Sequence, residues 1–318
     1  MNHFEIRRDK KFRHLSKLMG GVLGVASLGV VGYWLYAHRQ ELEQFIWRKG
    51  NWWILLAVFS LYPVSLALIF GIWHRYIRTI DNSISFFRNL ELYSYSNLVR
   101  RLPSGLGYVG MRMLTFKREG LPARLILLFS VIEMTMQLLA GWIIVALLVP
   151  SLLVHRPAAW IGILLLLPTV IFLLRPQWLA RLVQKIKGVD LNNPILFTTR
   201  QMLGWLTWYG LAWLNGGIML FLLCRDMGEF APINTAAIVG SWTLSGMVGM
   251  IGSLVPGGQL AREATLSVLL SQYMPLTMAV GATLTFRLIL TLGDVFWNTL
   301  VWIVAWSMGK KWLALDQR

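Results

Sequence analysis

The chain has 318 residues, of which 56% are hydrophobic and only 14% charged, with 16 tryptophans and a mean hydropathy of +0.59. These values place it among polytopic membrane proteins and exclude a soluble two-domain enzyme. The formal charge of +16 would suit nucleic acid, but the basic residues cluster at the ends of apolar runs, which points to membrane topology instead.

A bilayer core requires about 20 apolar residues as helix. The first run, Leu18 to Tyr36, follows a basic tail carrying Arg7, Arg8, Lys10, Lys11, Arg13 and Lys17. It is longer than the apolar core of a secretory signal and no small-residue cleavage site follows, so a retained first transmembrane helix is expected. Further runs are Trp52 to Trp73, Leu125 to Val149, Ala158 to Leu174, Met202 to Leu223, Ala236 to Val255 and Met278 to Trp306. Several begin or end in tryptophan (Trp52, Trp53, Trp73, Trp160, Trp306), as rings at a lipid–water interface do.

Two segments resist this pattern. Ser85 to Gly120 holds Arg88, Glu91, Arg100, Arg101, Arg112, Lys117 and Arg118, too many charges for a lipid-exposed span. Val255 to Gln272 interrupts an apolar stretch with Pro256, Gly257, Gly258, Arg262 and Glu263. The two look alike: Pro122 follows Pro103 by 19 positions, and Pro275 follows Pro256 by 19. Each first proline opens a glycine-rich stretch (Gly105 and Gly107 in one, Gly257 and Gly258 in the other). A short amphipathic helix and then a long apolar helix follow, and the copies are offset by 153 residues. Such breaks leave backbone groups unpaired, which bare lipid does not tolerate, so both read as re-entrant hairpins sheltered by protein or water.

The expected fold is therefore an all-α polytopic membrane protein, with about six spanning helices and two re-entrant hairpins arranged as an inverted repeat. The chain divides into a basic tail (1–17), a first helix and loop (18–51), repeat one (about 52–174), a linker (175–200), repeat two (about 201–308) and a short tail (309–318). With both termini inside, most Lys and Arg fall on the cytoplasmic side; outside lie only Arg39, Arg48, Lys49, Arg156, Arg225 and Arg262, and Arg287 sits within a helix.

The stretch "PSGLGYVG" carries the spacing G-x-G-x-x-G, but no strand precedes Pro103 and no alternating strand and helix pattern follows, so a dinucleotide site is not expected. The glycines instead allow a sharp turn and close helix approach. There is no G-x-x-x-x-G-K-[ST], the aspartates are isolated, and the single Cys224 excludes an intramolecular disulfide and a thiolate metal site. The five histidines (His3, His14, His38, His74, His155) are assigned to tails or loops, out of reach of a buried relay. No enzyme activity, cofactor, metal or nucleic-acid partner is expected.

Ionisable groups within the membrane are costly and are functional candidates by default. Glu133 and Gln137 share a helix face at four apart, as Arg287 and Asp294 do at seven. Arg112 lies on the first hairpin; Arg262 and Glu263 lie on the second. One reading has these groups pair with one another and lock the two halves together. The other has Arg112, Arg262 and Arg287 offer guanidinium forks to a lipid phosphate in a groove between the repeats, held by Glu133 and Glu263 when empty. Asn215 is polar at mid-helix and is a secondary candidate, with helix-to-helix adhesion as its ordinary role.

Two motifs carry a resemblance. Asn97, Pro103, Gly107, Arg112 and Gly120 in "NLVRRLPSGLGYVGMRMLTFKREG", and Pro256, Gly257, Gly258, Arg262 and Glu263 in "PGGQLAREA", resemble the transmembrane region of lysylphosphatidylglycerol synthases. Leu260 stands where that family usually has glycine. The resemblance implies translocation of a charged lipid headgroup, with membrane lipids as ligands, in the bacterial cytoplasmic membrane. No aminoacyl-transferase domain accompanies it, so the synthase reaction is not expected of this chain. Two alternatives stand beside the flippase: a secondary transporter of a soluble anion, and a non-catalytic partner of a lipid-modifying glycosyltransferase. The oligomeric state is left open.

Overall fold

A computed structural model describes residues 52–98, 107–149, 198–226, 234–254 and 259–307, with a few positions between 170 and 181. The apolar run at 18–36 and nearly all of that at 158–174 lie outside these residues, as do Pro103, Gly105, Pro256, Gly257 and Gly258. Among the described residues there are eight helices of 12 or more residues and no strand: α1 (Trp52–Ile80), α2 (Phe86–Leu98), α3 (Gly107–Arg118), α4 (Ala123–Leu148), α5 (Thr199–Asp226), α6 (Thr235–Gly252), α7 (Gln259–Leu270) and α8 (Leu276–Ser307). Five of them, α1, α4, α5, α6 and α8, are long and apolar enough to cross a membrane.

The expected boundaries shift in two places. α1 continues past Trp73 to Ile80, so Arg75, Arg78 and His74 ride on its last turns rather than in a loop. Trp73 is fully buried instead of interfacial, whereas Trp52 and Trp53 are exposed and stacked on each other. An interfacial tryptophan must sit at the end of a span, and α1 runs two turns beyond Trp73.

The chain repeats itself. A long helix, a helix, a break, a short helix and a second long helix occur in the order α1–α2–α3–α4 and again as α5–α6–α7–α8. Packing follows the same rule: α1 packs on α5; α2 packs on α8 as α6 packs on α4; α3 packs between α2 and α4 as α7 does between α6 and α8. The shared offset of 153 carries position 62 to position 215, and Asn215 indeed lies against the α1 backbone one residue from Tyr62. Toward the α1 C-terminus, Gly71 faces Trp208 and Tyr76 faces Trp205, so α1 and its counterpart α5 run antiparallel. Antiparallel equivalents make the repeat inverted, as the sequence predicts. The C-termini of α1 and α5, from which the two broken segments depart, therefore point to opposite ends of the molecule.

Local chemistry explains the turns. Two residues past the end of α3 stands Gly120, whose φ of +88° no β-carbon residue adopts readily, and the amide of Leu121 closes back onto the carbonyl of Phe116 at 3.1 Å. Pro122 then caps α4 with an extended backbone. In the second half Asn234 caps α6 through a side-chain bond to the amide of Ala236 at 2.9 Å. Close helix contact rests on small residues: a β-carbon at Gly217 would fall 2.8 Å from the Cα of Val239, so α5 and α6 touch backbone to backbone.

Candidate functional site

The first hairpin is built by α2 and α3 running antiparallel. At its base Arg88 of α2 binds both Glu91, 2.7 Å away, and Glu119 beyond the end of α3, 3.1 Å from Nε. Partial burial opposes the charge on Arg88, but these bonds outweigh it and raise its pKa above the usual arginine value. Nearer the tip, Arg112 of α3 reaches Ser96 and Asn97 of α2 at 3.5 and 3.3 Å.

Arg112 is the centre of this half. Its Nη1 donates to Oε2 of Glu133 on α4, and the two side chains are 1% and 6% exposed. The guanidinium lies over Trp73 (4.1 Å), Tyr93 (4.7 Å) and Tyr108 (5.6 Å), so aromatic faces cover what the carboxylate does not. Gln137, one turn along α4, donates to the other Glu133 oxygen at 3.3 Å. A buried guanidinium costs several kcal/mol to desolvate, on the order of what only a full set of partners repays; the cage supplies that set.

The second half carries the same arrangement with the charges exchanged. Glu263, on the short helix α7, meets Arg287 on the following long helix α8 at 3.3 Å. The offset of 153 carries Arg112 to position 265 and Glu133 to position 286, each within two residues of this pair. Ser267 donates to Thr283 at 3.2 Å on the same seam. Arg262 turns the other way and lies 4.3 Å over Trp242 of α6, with its aliphatic stem against Gly249. Trp242 in turn meets Trp213 and Phe286, and the indole N–H of Trp213 donates to the carbonyl of Gln137 at 2.9 Å. A run of polar and aromatic groups thus leads from Glu133 through Gln137, Trp213 and Trp242 to Arg262 and Phe286, the sequence neighbours of the second pair.

The expected partners are redistributed. Arg287 and Asp294 share a helix but not a site: Arg287 takes Glu263, while Asp294, 6% exposed, accepts from the hydroxyl of Tyr62 on α1. The Arg112–Glu133 and Glu263–Arg287 pairs each close within their own half rather than reaching across to the other, the adhesion one sequence reading expects of them. That adhesion falls to Asn215, which donates to the Leu61 carbonyl at 2.9 Å and to Ser65 at 2.8 Å, and to the Tyr62–Asp294 bond. Gly107 is the first residue of α3. His74 is a helical residue bonded to Asn89 at 2.8 Å.

Sequence reasoning passed over Tyr62 and the Arg112 cage of Trp73, Tyr93 and Tyr108. A stripe at 86, 89, 93 and 97 in a polar segment is a signal for one buried helix face, but nothing marks which aromatic will cover a distant cation. No group of three or more His, Cys, Asp or Glu side chains suited to a metal ion occurs among the described residues.

Apolar spanning helices in an inverted repeat, with Arg112, Glu133 and Asp294 buried among them, define a multi-pass membrane protein. A family model described as the lysylphosphatidylglycerol synthase TM region matches residues 20–297, and the chain belongs to that family. Comparison with curated proteins gives no match.

Proposed function

We propose that this protein is a lipid translocase that moves an anionic or phosphate-linked lipid, a phospholipid or a polyprenyl-phosphate-linked sugar, between the leaflets of a bacterial cytoplasmic membrane. The reading rests on one observation above all: each half of the inverted repeat carries an ion pair between its short helix and its second long helix, at the equivalent place. Ion pairs so placed are expensive, and an arginine that releases its acid to take a phosphate puts that cost to use. Hairpins departing from opposite ends of an inverted repeat offer the headgroup similar access from either leaflet. Both termini are assigned to the cytoplasm by the distribution of Lys and Arg. The driving force is a lipid gradient or the membrane potential, worth about 2.3 kcal/mol per charge per 100 mV, which pushes an anionic headgroup outward when the inside is negative.

Reconstitution tests this directly. Purified protein in vesicles containing fluorescent phosphatidylglycerol should expose inner-leaflet probe to an external quencher, and Arg287→Ala should slow that exposure. Protein-containing vesicles indistinguishable from empty ones, for phospholipid and polyprenyl phosphate alike, would refute the translocase reading. Lipid retained through purification, identified by mass spectrometry, would name the headgroup.

A further inference from the structure

The two ion pairs occupy equivalent places but are built for opposite purposes. Arg112–Glu133 is sealed: both side chains are nearly inaccessible, Glu133 accepts from Arg112 and Gln137, and three aromatic faces cover the guanidinium. Glu263–Arg287 is open: the side chains are 18% and 33% exposed. Their 3.3 Å contact is longer than the 2.7–2.9 Å of a charge-assisted hydrogen bond. In this second pair the Oε2 acceptor of Glu263 is buried without a hydrogen-bond partner. Native proteins rarely leave such a group unpaired, and an orphaned acceptor beside a loosely held cation suits a ligand bearing both a donor and an anionic acceptor.

We infer that Glu263–Arg287 is the pair that opens for the lipid headgroup, that Arg112–Glu133 is a fixed post, and that Glu263 selects headgroups carrying a hydrogen-bond donor next to the phosphate. The inference rests on the translocase reading only for its ligand class. A phosphodiester that takes Arg287 removes the cation facing Glu263. The carboxylate, whose Oε2 is already unsatisfied, would then be left as a buried charge, which is unfavourable. A hydroxyl or ammonium group a few atoms from the phosphate compensates by donating to Glu263. A phosphodiester without such a group meets Arg287 but leaves Glu263 unpaired and binds more weakly.

The test compares phosphatidylglycerol with phosphatidylmethanol, which has the same charge but no headgroup donor, through the thermal stabilisation each gives the purified full-length protein in detergent. The wild type should show a preference of about tenfold or more for phosphatidylglycerol, the worth of one hydrogen bond to a charged group. Glu263→Ala should abolish the preference, and Arg287→Ala should weaken both lipids. Asn97→Ala, which trims the fixed post, should lower the melting temperature of lipid-free protein and leave the lipid ratio unchanged. Equal affinity for the two lipids in the wild type, no stabilisation by either, or a preference that survives Glu263→Ala would overturn the assignment. Vesicle transport is read separately: the binding pattern without transport defeats the translocase reading alone, whereas transport with equal affinities defeats only the selection by Glu263.

Discussion

Asn215 on α5 donates to the backbone carbonyl of Leu61 on α1 at 2.9 Å, two residues before Pro63, which lies inside that helix. Pro63 lacks an amide and its ring crowds the preceding turn, so the α1 backbone is weakest where the two halves of the repeat meet. The same amide group also donates to Ser65, which brackets the proline from the other side.

Asn215→Leu should therefore loosen the contact between halves. Polar bonds between membrane helices are worth about 0.6 kcal/mol on average and up to about 1.7. The upper part of that range is expected, because one side chain serves two partners. Thermal unfolding in detergent reads the change, and a variant as stable as the wild type would show that α1 holds without the bracket.

Tyr62→Phe removes the hydroxyl that donates to the buried carboxylate of Asp294. Withdrawing a donor from a buried charged acceptor costs about 1–3 kcal/mol. Adding Asp294→Asn in the same chain should return part of the loss, since the neutral amide is less costly to leave underbonded. A double variant less stable than Tyr62→Phe alone would contradict this pairing.

Two glycines of α5 should respond in opposite directions. Gly217→Ala places a methyl group 2.8 Å from the Cα of Val239 and forces α5 from α6, at about 1–3 kcal/mol. A β-carbon at Gly204 meets nothing within 4 Å, so Gly204→Ala should be neutral or stabilising by up to about 1 kcal/mol through helix propensity. Melting temperatures of the two single variants decide the matter.

Neutralising the two acids separates the ion pairs. Glu133→Gln leaves Arg112 buried without its counter-charge and should cost about 3–5 kcal/mol. Glu263→Gln acts on a partly exposed pair and should cost under about 1 kcal/mol of stability. Comparable losses at the two positions would show that the second pair is as structural as the first.

Much of this architecture was legible in the sequence because its causes are local. Length and hydropathy mark the spans, and the recurrence of Pro103–Pro122 in Pro256–Pro275 marks the repeat. Side-chain partners were less accessible. Arg287 and Asp294 share a face at seven apart, but which neighbour each meets depends on where α7 and α1 cross α8, and no pattern along one helix encodes a crossing point. Trp73 reads as interfacial because tryptophans often end spans; its actual place under Arg112 follows from α3 folding back between α2 and α4, from where the Arg112 side chain reaches α1. Position 262 shows the same limit: Arg262 and Glu263 are adjacent in sequence yet leave α7 toward different partners, Trp242 and Arg287.

The account stands on two broken segments that enter from opposite faces of one membrane, and cysteine accessibility measures this most directly. Cys224 is buried and is the only cysteine, so a Cys224→Ala background is blank to label. Ser83 and Thr235, both exposed, mark the bases of the first and second hairpins. In intact cells an impermeant maleimide should label Thr235→Cys from outside and reach Ser83→Cys only after the membrane is opened. Labelling of both positions from the same face would contradict the inverted arrangement and, with it, the path proposed for the headgroup.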